Sequence, residues 1–187
     1  MIQRDLYLQK IIDYMWDGQI KVITGIRRAG KSTLLFDLFY DYLLKKGVKA
    51  ENIIKLQLDK RKDSKYRNPI VLAEYVENQV SKSKEKFYLF IDEIQFCYSV
   101  PDPDNEGYEI TVYDMLNELK DYKNLDVYVT GSNSKMLSKD ISTEFRGRSS
   151  QIHVYPLSFS EFHATKGGDK RDNFDSYMIY GGLPYLL

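Results

Sequence analysis

Residues 24–35 read T-G-I-R-R-A-G-K-S-T-L-L. Gly25 to Ser32 fits the spacing G-x-x-x-x-G-K-[ST]. A short β-branched run, Ile20 to Thr24, enters this turn. A helical pattern leaves it through Leu34, Leu35, Leu38, Phe39, Tyr42 and Leu43 and stops at Gly47. Strand, glycine-rich turn and helix are the context in which this spacing acquires a mechanism. Glycines let the backbone curl so that successive N–H groups face one anion, and the positive end of the following helix adds to the attraction. The reading is a phosphate-binding loop formed by Gly25, Ile26, Arg27, Arg28, Ala29, Gly30, Lys31, Ser32 and Thr33. Lys31 has the length to reach β- and γ-phosphates, and the Ser32 hydroxyl is a ligand for Mg2+. Arg27 and Arg28 either approach a phosphate or are solvated loop residues.

Holding a nucleotide and cutting it are different tasks, because hydrolysis needs a held metal and an oriented water. The run F-Y-L-F-I-D-E-I-Q, residues 87–95, is continuously apolar up to its acids, the pattern of a strand buried on both faces. It delivers Asp92 and Glu93 at its C-terminal end, where parallel sheets place their sites. Asp92 is read as the carboxylate that holds the metal, and Glu93 as the one that orients or deprotonates the attacking water. A second buried strand, Leu125 to Thr130, ends in T-G-S-N-S. Thr130, Ser132 and Asn133 there either sense the γ-phosphate or, for Ser132 and Asn133, cap a helix. In F-R-G-R, Arg146 and Arg148 are candidates for transition-state charge, supplied within the chain or across a subunit boundary, with plain surface residues as the alternative.

The remaining chain alternates strands with helical patterns. Helices are expected at 4–16, from Pro69 to Val80 and from Ile110 to Tyr122. Strands are expected from Ile53 to Leu58 and from Gln151 to Tyr155, and residues 99–107 form a polar loop. The predicted fold is α/β, a five-stranded, mostly parallel sheet with helices on both faces. Residues 1–19 read as a leading helix, 20–157 as the core and 158–187 as the start of a helical part. G-G-L-P-Y-L-L ends on apolar residues, which reads as a chain stopping before its natural end.

Composition bounds the function. Of the 187 residues, 43% are hydrophobic and 29% charged, as in a folded globular protein. Lys plus Arg and Asp plus Glu number 27 each, so the balance gives nucleic-acid binding no support, although a local basic patch stays open. A lone cysteine, Cys97, forms no intramolecular disulfide and suits a reducing compartment. No apolar run approaches the roughly 20 residues of a membrane span, and the start does not read as a signal peptide, so the cytoplasm is the expected location.

Taken in order, G-I-R-R-A-G-K-S-T, F-I-D-E-I-Q, T-G-S-N-S, F-R-G-R, P-L-S-F-S-E-F and G-G-L-P resemble a group of bacterial and archaeal AAA-type ATPases. These are related to the signalling ATPases and usually carry a further C-terminal domain. The resemblance implies an additional-strand P-loop fold, with the Thr130 strand between the Gly25 and Asp92 strands. It also implies ATP and Mg2+ as cofactors, held by Lys31, Ser32, Asp92 and Glu93. Asn133 or Ser132 becomes the first sensor, and Arg146 or Arg148 a finger in a homo-oligomer. The family's chains run past G-G-L-P, so a C-terminal domain is the expected partner. The leading expectation is an ATP-hydrolysing module that switches or drives that domain. The rivals are a nucleotide-gated scaffold with negligible turnover and a small-molecule kinase, for which no acceptor motif is evident. A GTPase is disfavoured because no N-K-x-D motif occurs.

Overall fold

The computed structural model describes residues 2, 4–131, 145 and 147–186. Its strands are β1 (Ile20–Thr24), β2 (Ile53–Gln57), β3 (Phe87–Asp92), β4 (Val100–Pro101), β5 (Glu109–Ile110), β6 (Leu125–Thr130) and β7 (Ser149–His153). Five of them form one sheet in the order β2-β3-β6-β1-β7, and every pairing in it is parallel. β6 therefore lies between β1 and β3, as the additional-strand expectation required. The two-residue strands β4 and β5 pair antiparallel inside the stretch expected to be an irregular polar loop.

The helices are α1 (Asp5–Asp13), a continuous helical run α2 over residues 31–45, α3 (Pro69–Val80), α4 (Val112–Leu119), α5 (Phe159–Lys166) and α6 (Lys170–Tyr180). Within α2 the segment Leu34–Phe39 is π-helical, a local widening that periodicity does not signal. It carries Phe36 and Phe39 against Phe90, and Phe39 also against Tyr128.

Strand alternation sorts the apolar runs into two cores. Val22, Leu89, Ile91, Val127 and Val129 face α3 and α4, where Leu72, Val76, Leu116 and Leu119 meet them. Ile23, Tyr88, Phe90 and Tyr128 face the other way, onto Tyr7 and Ile11 of α1 and Leu35, Phe39 and Leu43 of α2. Both faces of β3 and β6 are thus covered, which is why their sequences show no polar alternation.

Two boundaries moved for identifiable reasons. The last sheet strand begins at Ser149 rather than Gln151, because its register against β1 runs from Ile20↔Ser149 to Thr24↔His153. α4 starts at Val112 because Thr111 caps it, the Thr111 hydroxyl and Asp114 exchanging capping-box bonds.

Candidate functional site

The glycine-rich loop leaves the C-terminal end of β1, all five of whose residues are buried. Val154 N donates to Thr24 O at 2.8 Å, which presses the backbone after β7 onto the loop's first residue. A Cβ on Gly25 would lie 2.2 Å from Val154 O, and Gly25 has φ +143°. No side chain fits there. Gly30, at φ +94°, caps the start of α2, and Leu34 N donates to its carbonyl at 2.9 Å.

Lys31 is buried, and its Nζ donates to Gly25 O and Ile26 O, each at 3.0 Å. Burial holds this amine below its ordinary pKa, against the upward pull of Glu93 and Asp92. Ser32 Oγ donates to Asp92 Oδ1 at 3.0 Å, so two residues 60 apart in sequence share one hydrogen bond. Burial raises the Asp92 pKa, and the hydroxyls of Thr130 and Ser32 oppose that rise by bonding the charged form. Main-chain geometry secures the strand end, with Leu58 N donating to Asp92 O at 3.2 Å.

Glu93 follows with φ +57°, a left-handed conformation uncommon for a residue with a side chain. Its N–H donates to Thr130 Oγ1 at 3.1 Å, and its side chain accepts from Gln95 Nε2. Its carbonyl begins the turn Ile94–Phe96 by accepting from Phe96 N. Lys31, Ser32, Asp92, Glu93 and Thr130 are therefore brought together. Ser132, Asn133 and Arg146 lie outside the described residues.

Arg148 is exposed and lies elsewhere: its carbonyl accepts from Ile20 N, at the start of β1, whereas the loop follows the end of that strand. Arg27 is exposed, and the Arg28 guanidinium sits 4.4 Å from the centre of the Tyr185 ring. Arg28 is also left-handed, at φ +66°. The segment carrying Tyr185 is anchored by Leu157 N donating to Gly182 O at 2.6 Å, so G-G-L-P-Y folds back towards the loop. Pro184 Cγ comes within 3.8 Å of where a Gly30 Cβ would stand.

Sequence reasoning gave no role to Arg4 or Gln95, and it named Thr130 for phosphate sensing rather than for its bonds to the acidic pair. Arg4, nearly fully buried, donates to Tyr155 O at 2.6 Å and to Ala29 O at 3.3 Å. Its Nε lies 3.1 Å from Glu161 Oε1, an ion pair off the hydrogen-bond line. An open cavity of about 1110 Å³ adjoins this tie, lined by Tyr7, Tyr155, Pro156, Glu161 and Tyr177 among others. Gln95 was visible in D-E-I-Q without a role. For Thr130 the signal was its place at a strand end, but its partners could not be read. No local pattern marks Arg4.

A parallel sheet with this loop after β1, an acid pair after β3 and β6 between them defines a P-loop nucleotide-binding module of the additional-strand class. The chain belongs to the AAA domain family, whose pattern matches residues 17–163. It is 35% identical over 192 residues to an uncharacterised protein of Haemophilus influenzae, covering all of this chain and 45% of that one. It is 32% identical over 190 residues to the uncharacterised protein MJ1544 of Methanocaldococcus jannaschii, covering 36% of it. The chain thus spans less than half the length of these curated relatives. Among solved structures, it resembles a Walker-type ATPase of Pyrococcus abyssi with a TM-score of 0.63 at 14% identity, covering 98% of this chain and 65% of that one. AMPPCP-bound DnaA from Aquifex aeolicus matches with a TM-score of 0.57 at 14% identity, covering 95% of this chain and 55% of that one. At such identities these likenesses establish the fold. The family establishes an ATP-binding module of the AAA type.

Proposed function

We propose that the chain binds Mg2+-ATP at the Gly25–Ser32 loop and hydrolyses it, so as to switch or drive polypeptide attached to it in the longer proteins. The observation that carries this reading is the Ser32 Oγ to Asp92 Oδ1 hydrogen bond, which places a hydroxyl and a carboxylate together at the mouth of the loop. Two oxygen donors of this kind suit Mg2+, a hard cation that keeps several waters and takes one or two protein ligands. When bound there it would neutralise charge on the phosphates. Lys31 supplies a cation to the β- and γ-phosphates in exchange for its bonds to the loop carbonyls. Glu93, one residue beyond Asp92, orients and deprotonates the attacking water once its carboxylate leaves Gln95. Asn133 or Ser132 is the proposed sensor of the terminal phosphate.

Arg148 stands at the start of β1, away from its own loop, so we assign any finger role it has to a neighbouring copy. A second reading, a nucleotide-gated scaffold with negligible turnover, draws support from the Gln95 bond that engages Glu93. Phosphate release with no added acceptor separates the two readings. The test of binding is thermal. Mg2+-ATP at 100 times its Kd should add about 2.7 kcal/mol, a Tm rise of roughly 5–10 °C for a chain of this size. Lys31→Ala should remove most of that rise, and an equal rise in both proteins would refute the loop assignment.

A further inference from the structure

We propose that Thr130 is a positioning residue that sets both acidic residues through a single hydroxyl. The inference rests on the reading of Asp92 and Glu93 given above, and it concerns how they are held rather than what they do. A threonine hydroxyl has one proton to give and lone pairs with which to accept. Here the proton goes to Asp92 Oδ1 at 2.5 Å, and a lone pair receives the Glu93 N–H at 3.1 Å. Thr130 has no exposed surface, so these two partners rather than solvent define its orientation.

The sheet makes the arrangement possible. β3 and β6 pair in parallel up to Ile91↔Val129, and the next rung sets Asp92 beside Thr130. A β-branched side chain on a buried strand has few rotamers, so the hydroxyl is delivered in one direction. The bond to Asp92 is charge-assisted and short, the stronger kind of hydrogen bond. Asp92 Oδ1 also accepts from Ser32, but Ser32 is the residue whose hydroxyl is needed by the metal. Thr130 is the donor that stays with Asp92 when Ser32 turns away. Its second bond matters separately, because Glu93 sits in a left-handed conformation that needs support from its surroundings. One hydroxyl thereby fixes the carboxylate at the strand end and the backbone of the residue that follows.

The variants are Thr130→Val, which keeps shape and removes the hydroxyl, Thr130→Ser, which keeps the hydroxyl, and Thr130→Ala. Comparing Val with wild type, and Ala with Ser, isolates the hydroxyl twice, so a failure of one variant to fold leaves the other pair decisive. Amide hydrogen exchange at Glu93 is measured first, in protein without nucleotide or metal. The Val and Ala forms should lose protection there by about 10-fold or more, and Ser should keep it. Binding of a fluorescent ATP analogue is then measured in Mg2+ and in EDTA. The tightening caused by Mg2+, taken as the ratio of the two affinities, should fall by about 10-fold or more in Val and Ala, and Ser should keep it. Unchanged Glu93 exchange, or equal losses in Ser and Ala, would overturn the proposal. If wild type itself shows no Mg2+-dependent tightening, the functional reading fails instead, and the exchange result still judges Thr130.

Discussion

Glu93 carries the sharpest distinction between binding and catalysis, because its side chain borders the loop without forming part of it. Glu93→Gln preserves shape and removes the proposed base, so ATP binding should persist while turnover falls by at least about 10²-fold. Phosphate release measured beside analogue binding checks this, and wild-type turnover in the variant would move the base elsewhere. Gly25 is constrained differently. A methyl group there meets the Val154 carbonyl at 2.2 Å, and φ +143° is foreign to residues with a Cβ. Gly25→Ala should therefore destabilise the fold by about 3 kcal/mol, read by chemical denaturation, and weaken ATP binding with it. An Ala variant of wild-type stability would refute the close approach of the Val154 carbonyl to Gly25.

At the scale of elements, β1 and β6 are joined by charge at the end opposite the site. Lys21, fully buried, donates to Asp126 Oδ1 at 2.5 Å, lies 2.7 Å from Asp17 Oδ1 and donates to Gln19 O at 2.9 Å. Asp126 Oδ2 accepts from Tyr128 OH at 2.7 Å and from Trp16 N at 3.0 Å. A buried pair is costly to break by halves, since the remaining charge is stranded. Lys21→Met should cost about 3–5 kcal/mol in denaturant unfolding. The double change Lys21→Met with Asp126→Leu should recover part of that loss. A single substitution that is neutral would mean water reaches Asp126. The same network explains why two charged residues interrupt strands that are otherwise apolar.

The whole molecule separates two functions of position. The groups proposed to hold nucleotide gather at the C-terminal ends of β1, β3 and β6, while Arg148 stands near the start of β1. A finger in trans is worth roughly 10³–10⁵ in turnover, so the chain alone should hydrolyse ATP weakly, with specific activity rising as protein concentration rises. Arg146→Ala and Arg148→Ala, assayed separately, should leave binding intact, and loss of the concentration dependence in one of them identifies the finger. Brisk hydrolysis at all concentrations, indifferent to both, would refute the trans arrangement. Among the described residues no helix is long and apolar enough to cross a membrane.

What the sequence determined by itself was whatever depends on neighbours along the chain. Gly25 to Ser32 were legible because the loop's demands fall within eight consecutive residues, and Asp92 and Glu93 because an apolar run ends on them. The two-sided burial of β3 and β6 was legible for the same reason, from uninterrupted hydrophobicity. Strand order came from resemblance, not from periodicity, since a pattern of period two says nothing about which strand lies beside which. Tertiary structure alone decided the rest. Thr130 meets Asp92 across 38 residues, Lys21 meets Asp126 across 105 and Arg4 meets Tyr155 across 151. Such pairs are set by sheet register and by where connections return, and a single hydroxyl or guanidinium leaves no periodic trace. The same holds for the Arg28 guanidinium over the Tyr185 ring, where the Leu157–Gly182 bond anchors the segment that carries Tyr185.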